Sequence, residues 1–171
     1  MWLFDLMTKK KTVQPEQGRI YAPASGQVIP LEEIPDKAFS SGILGKGIGI
    51  VPDGNVIAAP INGTLTAFAQ TGHAIGITSE DGAELIIHVG IDTVEMNGDG
   101  FRPLAQKGDK VCCGQKLLKF SRQKIEDAGY SPIIGFTVSN SDEMEAVTFD
   151  STGFAAIGDA IGQYAVAAKQ G

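Results

Sequence analysis

The chain has 171 residues, 43% of them hydrophobic and 20% charged, which predicts one globular domain with one substantial core. Fourteen Lys and Arg against 20 Asp and Glu leave a net charge of −6, which argues against nucleic acid as a partner and suits basic protein partners. Its only two cysteines, Cys112 and Cys113, are adjacent and lack metal-site spacing, which fits a reducing compartment, and no apolar run reaches the roughly 18–20 residues of a membrane span.

Residues 1–18 read as a flexible segment separate from the body at 19–171. Trp2, Leu3, Phe4, Leu6 and Met7 precede Lys9, Lys10 and Lys11, so the charges follow the apolar residues, the reverse of a signal peptide. A cytoplasmic protein is expected. The segment has two readings: weak peripheral contact with the inner face of the membrane, or a frayed terminus.

From Arg19 onward, short apolar segments are cut by Gly, Pro, Asn and Asp. Strands are expected at Gln27–Ile29, Gly47–Val51, Asn55–Ala59, Thr64–Phe68, Ala74–Thr78, Glu84–Val89, Lys116–Phe120 and Ile133–Val138. Turns are expected at Pro52–Asn55 and Glu80–Gly82. One helix is expected between Ser121, its cap, and Ala128, with Gly129 stopping it. Ala22-Pro23-Ala24-Ser25-Gly26 is echoed by Ala59-Pro60-Ile61-Asn62-Gly63, each leading into a strand. The fold class is all-β, an antiparallel sandwich or barrel with one or two short helices.

The chain has two histidines, His73 and His88, both assigned to predicted strands. If Asp81-Gly82 is a two-residue hairpin loop, Ile75 lies opposite His88, and His73 becomes its diagonal neighbour on the same face. A loop of odd length would separate them. Neutral imidazole is a good nucleophile near pH 7 and can accept and release a phosphoryl group. A second imidazole beside it can hydrogen-bond the phosphoryl oxygens, and Thr71 is placed to orient the His73 ring. A structural pair of histidines, or a zinc site, stays open on spacing alone.

The run Ile87-His88-Val89-Gly90-Ile91-Asp92-Thr93-Val94-Glu95-Met96-Asn97-Gly98-Asp99-Gly100-Phe101 resembles the phosphoacceptor signature of glucose-type IIA proteins of the bacterial sugar phosphotransferase system. Thr71-Gly72-His73-Ala74, Ile34 to Phe39, Gly45 to Ile50 and Pro132 to Ala146 resemble further segments of that family, from about Gly18 to the C-terminus. The resemblance implies a fold like a barrel-sandwich hybrid and a phosphoryl carrier that needs no cofactor and no metal. Phosphate would pass from HPr to His88 and on to a cysteine of a IIB domain. His73 resembles the steadying histidine, Thr71 its hydroxyl partner, and the Gly90 carbonyl the group that holds the inner nitrogen of His88. Asp36 and Asp92 resemble acidic residues that meet the donor. Ala38, Phe39, Ile43, Leu44, Ile86 and Val94 fall where the family has an apolar docking rim. Gly72, Ala38 and Ala69 depart from the family's usual choices, which bears on partner contacts.

Lys107-Gly108-Asp109-Lys110-Val111 and Gly114-Gln115-Lys116-Leu117 resemble a turn of lipoyl and biotinyl carriers, but Met96 is followed by Asn97, so no attachment lysine exists. A regulatory binding protein, acting on transporters or enzymes through the same face, is the stronger rival. A metal held by His73, His88 and a partner carboxylate is the third reading.

Overall fold

A computed structural model describes residues 14–168; the apolar and lysine-rich residues 1–13 lie outside the described residues. The architecture is all-β and antiparallel. In chain order the strands are β1 (Arg19–Tyr21), β2 (Gly26–Pro30), β3 (Lys46–Pro52), β4 (Val56–Ala58), β5 (Gly63–Phe68), β6 (Ala74–Thr78) and β7 (Glu84–Val89). Then follow β8 (Phe101–Pro103), β9 (Lys110–Val111), β10 (Lys116–Phe120), β11 (Ile134–Val138), β12 (Met144–Phe149), β13 (Phe154–Ala155) and β14 (Ala160–Val166). Two short helices, α1 (Lys37–Ser40) and α2 (Arg122–Asp127), interrupt them.

An eight-stranded sheet runs β13-β2-β3-β11-β7-β6-β5-β9, flanked by β1-β14-β12 and β4-β10-β8. Alternation places Ile48 and Ile50 of β3, Phe136 and Val138 of β11, Leu85 and Ile87 of β7, and Ile75 and Ile77 of β6 in one core. Leu117, Leu118 and Phe120 of β10 meet them from another sheet. All five β11 residues are buried. A second cluster of Leu31, Ile34 and Phe39 packs apart from the main core, and the partly buried Ile133 at the entry to β11 packs against it. Burial on both faces explains why β11 shows no alternation of buried and exposed residues.

Each segment expected as a strand forms one. The predicted helix is α2, where the Ser121 hydroxyl accepts from Lys124 N at 3.1 Å. The echoed segments face one another: Tyr21 N donates to Pro60 O at 3.0 Å, and Ala58 N donates to Pro23 O at 2.8 Å. Strands β12 and β14 carry no apolar alternation, because each buries one residue, Val147 and Ile161.

The β6–β7 hairpin corrects the expected register. Thr78 pairs with Glu84, Ile75 with Ile87, and Ala74, not Ile75, with His88. Three residues, Glu80 to Gly82, span the turn inside the Ser79 N to Ala83 O bond of 2.9 Å. Gly82 takes φ +98, the left-handed closing position of a three-residue loop. The Ser79 hydroxyl accepts from Ala83 N and donates to the Asp81 carboxylate. Tyr164 OH donates to the same carboxylate at 2.8 Å. Burial, with Asp81 beside it, pushes the Tyr164 pKa up to about 12, so it stays a donor.

Candidate functional site

His88 points away from the core, since its neighbours in β7, Ile87 and Val89, are fully buried inward and His88 is half-buried. Beyond β7 the chain turns sharply. Gly90 has φ +82, its N donates to Ile133 O at 3.0 Å, and Ile91 N donates to Ser131 O at 2.9 Å. The turn aims the Gly90 carbonyl back at His88, whose Nδ1 lies 2.9 Å from it. A carbonyl only accepts, so Nδ1 carries the proton and the neutral ring keeps its lone pair on Nε2.

The three-residue loop is odd, so continuous strand geometry would part His73 from His88. The rings nevertheless meet, with centroids 5.1 Å apart and planes at 78°. His73 escapes the parity rule because it is not in a strand, as expected, but in the β5–β6 loop. It lies one residue before β6, in a loop closed by Ala69 N to Ala74 O at 2.9 Å. Its carbonyl is held by Val89 N at 2.7 Å. Thr71 Oγ1 sits 2.6 Å from His73 Nδ1. His73 is buried, and desolvation, followed by the positive charge His88 can carry, holds its pKa below the usual histidine value. At neutral pH it is an uncharged ring with one N–H to offer.

The expected rim residues divide into three groups by exposure. Ile43 is 79% exposed and Val94 48%, while Ala38, Leu44 and Ile86 are half-buried. Ile86 shares the outward face of β7 with His88. Phe39 departs from the expectation of a docking residue: at 2% exposed it has almost no surface for a partner. It packs against the imidazole instead, edge to face, with centroids 5.8 Å apart.

Asp36 caps α1, where its Oδ1 accepts from Ala38 N at 2.8 Å, and so holds the turn that carries Phe39. Asp92 lies two residues beyond Gly90, exposed, with φ 60. Thr93 was not singled out by the sequence. It is fully buried, its hydroxyl donates to Val89 O at 2.5 Å, and its methyl fills the space beside Gly90. Its place at the start of the Thr93–Met96 turn is the one local signal for that role.

Two imidazoles are fewer donors than a closed zinc site needs, and among the described residues no group of three or more His, Cys, Asp or Glu gathers. A cleft lined by Arg19, Asn62, Asp81 and Tyr164 lies at the far end of the β6–β7 hairpin. It holds none of the site residues. His88, half-buried, instead shares the outward face of β7 with Ile86, an arrangement suited to protein partners more than to a small molecule.

The family model described as "phosphoenolpyruvate-dependent sugar phosphotransferase system, EIIA 1" matches residues 18–144. Among solved structures, the glucose permease IIA from Mycoplasma capricolum is similar, with 31% identity and a TM-score of 0.73. The match covers 84% of this chain and 93% of that one.

Proposed function

The chain belongs to the glucose-type EIIA family of the phosphoenolpyruvate-dependent sugar phosphotransferase system, and from that premise we propose that it carries phosphate through sugar uptake on Nε2 of His88. The observation that carries this assignment is the 2.9 Å bond between His88 Nδ1 and the Gly90 carbonyl. It leaves Nε2 unprotonated, and it stabilises the positive charge the ring gains as the new bond forms.

Phospho-HPr is the donor. Nε2 attacks phosphorus, the bond from phosphorus to the donor breaks, and its electron pair leaves with the donor. The phosphoryl group then passes by the same exchange to a cysteine of a IIB domain. The Thr71 hydroxyl lies 2.6 Å from His73 Nδ1; with that hydroxyl as donor in the hydrogen bond, the His73 N–H sits on Nε2, where it hydrogen-bonds a phosphoryl oxygen. The arriving negative charge favours the imidazolium form of His73, in which the Thr71 hydroxyl turns to accept from Nδ1, so its grip tightens as charge accumulates. Phe39 and the surrounding apolar residues keep water from the phosphoryl group. Asp36 and Asp92 flank this face and steer a basic donor. The protein works in the cytoplasm, with residues 1–18 giving weak contact to the inner membrane surface.

Regulation is a second reading, favoured by the exposure of Ile43, in the segment after α1, and of Val94, in the turn after Gly90. Phosphorylation adds negative charge to an apolar docking face and so switches binding to transporters or enzymes.

The test is phosphorylation from phosphoenolpyruvate with enzyme I and HPr. The wild type acquires acid-labile, base-stable phosphate, and His88→Gln acquires none. Label retained on His88→Gln, or none on the wild type, overturns the assignment.

A further inference from the structure

Gly135 lies directly opposite His88 in the β11–β7 pairing and opposite Gly49 in the β11–β3 pairing. Together with Ala74 these residues form one cross-strand row on the outward face of the sheet. Glycine is a poor strand residue, so its place in a buried central strand needs a reason. Gly135 has no positive φ, which excludes backbone conformation as that reason. Space is what remains. A Cβ built on Gly135 falls 2.5, 2.6 and 2.9 Å from three atoms of the Phe39 ring. A Cβ on Gly49 falls 2.8 and 2.9 Å from Ile29 and Ile34. The two glycines open a trough in which the cover formed by Leu31, Ile34 and Phe39 seats.

The Phe39 ring at the bottom of that trough is the wall against which the His88 ring rests. His73 contacts the same imidazole, and the Gly90 carbonyl holds its inner nitrogen. We propose that Gly135 is a positioning residue for phosphoryl transfer: the absence of a side chain there sets the depth of Phe39, and Phe39 sets the plane of the His88 imidazole. Any larger residue at 135 lifts the Phe39 ring by about 1 Å to reach ordinary contact and takes away the wall. Misplacement of a reacting group by about that much costs up to about 10²-fold in rate. This inference rests on His88 as the phosphoryl-bearing residue.

The experiment compares Gly135→Ala, Phe39→Leu, the double variant and Gly49→Ala in the full chain. Rates of label uptake from phospho-HPr and the ¹⁵N imidazole signals of His88 across a pH titration are the readouts. Gly135→Ala is expected to take up label about 10–100-fold more slowly and to shift the His88 imidazole signals. In the double variant the shorter side chain at position 39 accepts the new methyl, so adding Gly135→Ala to Phe39→Leu costs less than adding it to the wild type. Gly49→Ala meets Ile29 and Ile34, which reach Phe39 only through the shared cover, and is expected to shift the His88 signals less than Gly135→Ala does.

If Gly135→Ala does not fold, Phe39→Leu tests the wall by itself and must shift the same His88 signals. Unchanged His88 signals in the folded Gly135→Ala or Phe39→Leu protein overturn the proposal. So do equal shifts in Gly135→Ala and Gly49→Ala. The imidazole signals are read without phosphoryl transfer, so this arm decides the positioning claim even if label is found elsewhere than on His88.

Discussion

Gly90→Ala strikes the hinge of the site at one atom. An alanine there must hold a left-handed φ near +82, which costs about 1–2 kcal/mol for a residue with a Cβ. The new methyl runs into Thr93 Cγ2 and lies 3.0 Å from Ser131 O, both within the pinned turn. Such overpacking costs about 1–3 kcal/mol, so the total is about 2–5 kcal/mol. For a chain of this size that lowers Tm by roughly 5–15 °C. The turn can relieve the clash only by moving the Gly90 carbonyl or Thr93, and either movement loosens the bond to His88 Nδ1. Uptake of phosphate in the folded variant is therefore expected to fall about 10–100-fold. Urea unfolding, with label transfer from phospho-HPr, measures both effects. Thr93→Ser removes the obstructing methyl and keeps the hydroxyl on Val89 O, so the double variant should recover part of the lost stability. A Gly90→Ala protein within about 0.5 kcal/mol of wild type would refute the reasoning, because surface changes of no consequence fall in that range. A double variant no more stable than Gly90→Ala would show that Thr93 is not the obstruction.

His73→Gln is expected to accept label from HPr and to pass it to a IIB domain about 10²–10³-fold more slowly, read by single-turnover transfer. The same substitution changes stability with pH. Because the folded pKa of His73 is depressed, the unfolded chain binds the proton more tightly, and stability falls as pH drops below about 6.5 until the folded pKa is passed. Urea midpoints between about pH 5 and 7.5 should show less of that fall in His73→Gln. Asp36→Asn with Asp92→Asn removes two charges while preserving a capping acceptor at 36 and a residue tolerant of left-handed φ at 92. Uptake from HPr should slow several-fold at low salt and converge with wild type at high salt; equal rates throughout would exclude steering. Removal of residues 1–17 should leave uptake unchanged and reduce co-sedimentation with anionic vesicles at low salt. Equal co-sedimentation of both forms would end the membrane reading.

Much of this protein is legible in its sequence. Alternation in Glu84–Val89 and Ala74–Thr78 marks strands and assigns their inward faces, because a period of two follows from strand geometry alone. Ser121 and Gly129 bracket α2 through local hydrogen bonding and dihedral preference. The run from Ile87 to Phe101 announces the phosphotransferase family by residue identity alone. The β6–β7 register did not follow from local signals. Asp81-Gly82 suits a two-residue loop, yet the loop has three residues, braced from a distance. Asn140 Nδ2 donates to Gly82 O at 2.8 Å, Glu84 N donates to Asn140 Oδ1 at 2.9 Å, and Tyr164 OH donates to Asp81. Those bonds reach across 56 to 83 residues of chain.

The meeting of His73 with His88 was likewise decided by tertiary structure. Strand parity with the true register would have separated the rings, and a loop residue closed by Ala69 and held by Val89 brings them together. The role of Phe39 was hidden for the same reason. An apolar residue beside an active histidine reads as a docking surface until a glycine on a strand nearly a hundred residues later gives its ring a place to sink. Local sequence sets periodicity, turns and the chemistry each side chain can perform. Register, depth and ring orientation are set by contacts between distant segments, and these exist only once the sheet has closed over its core.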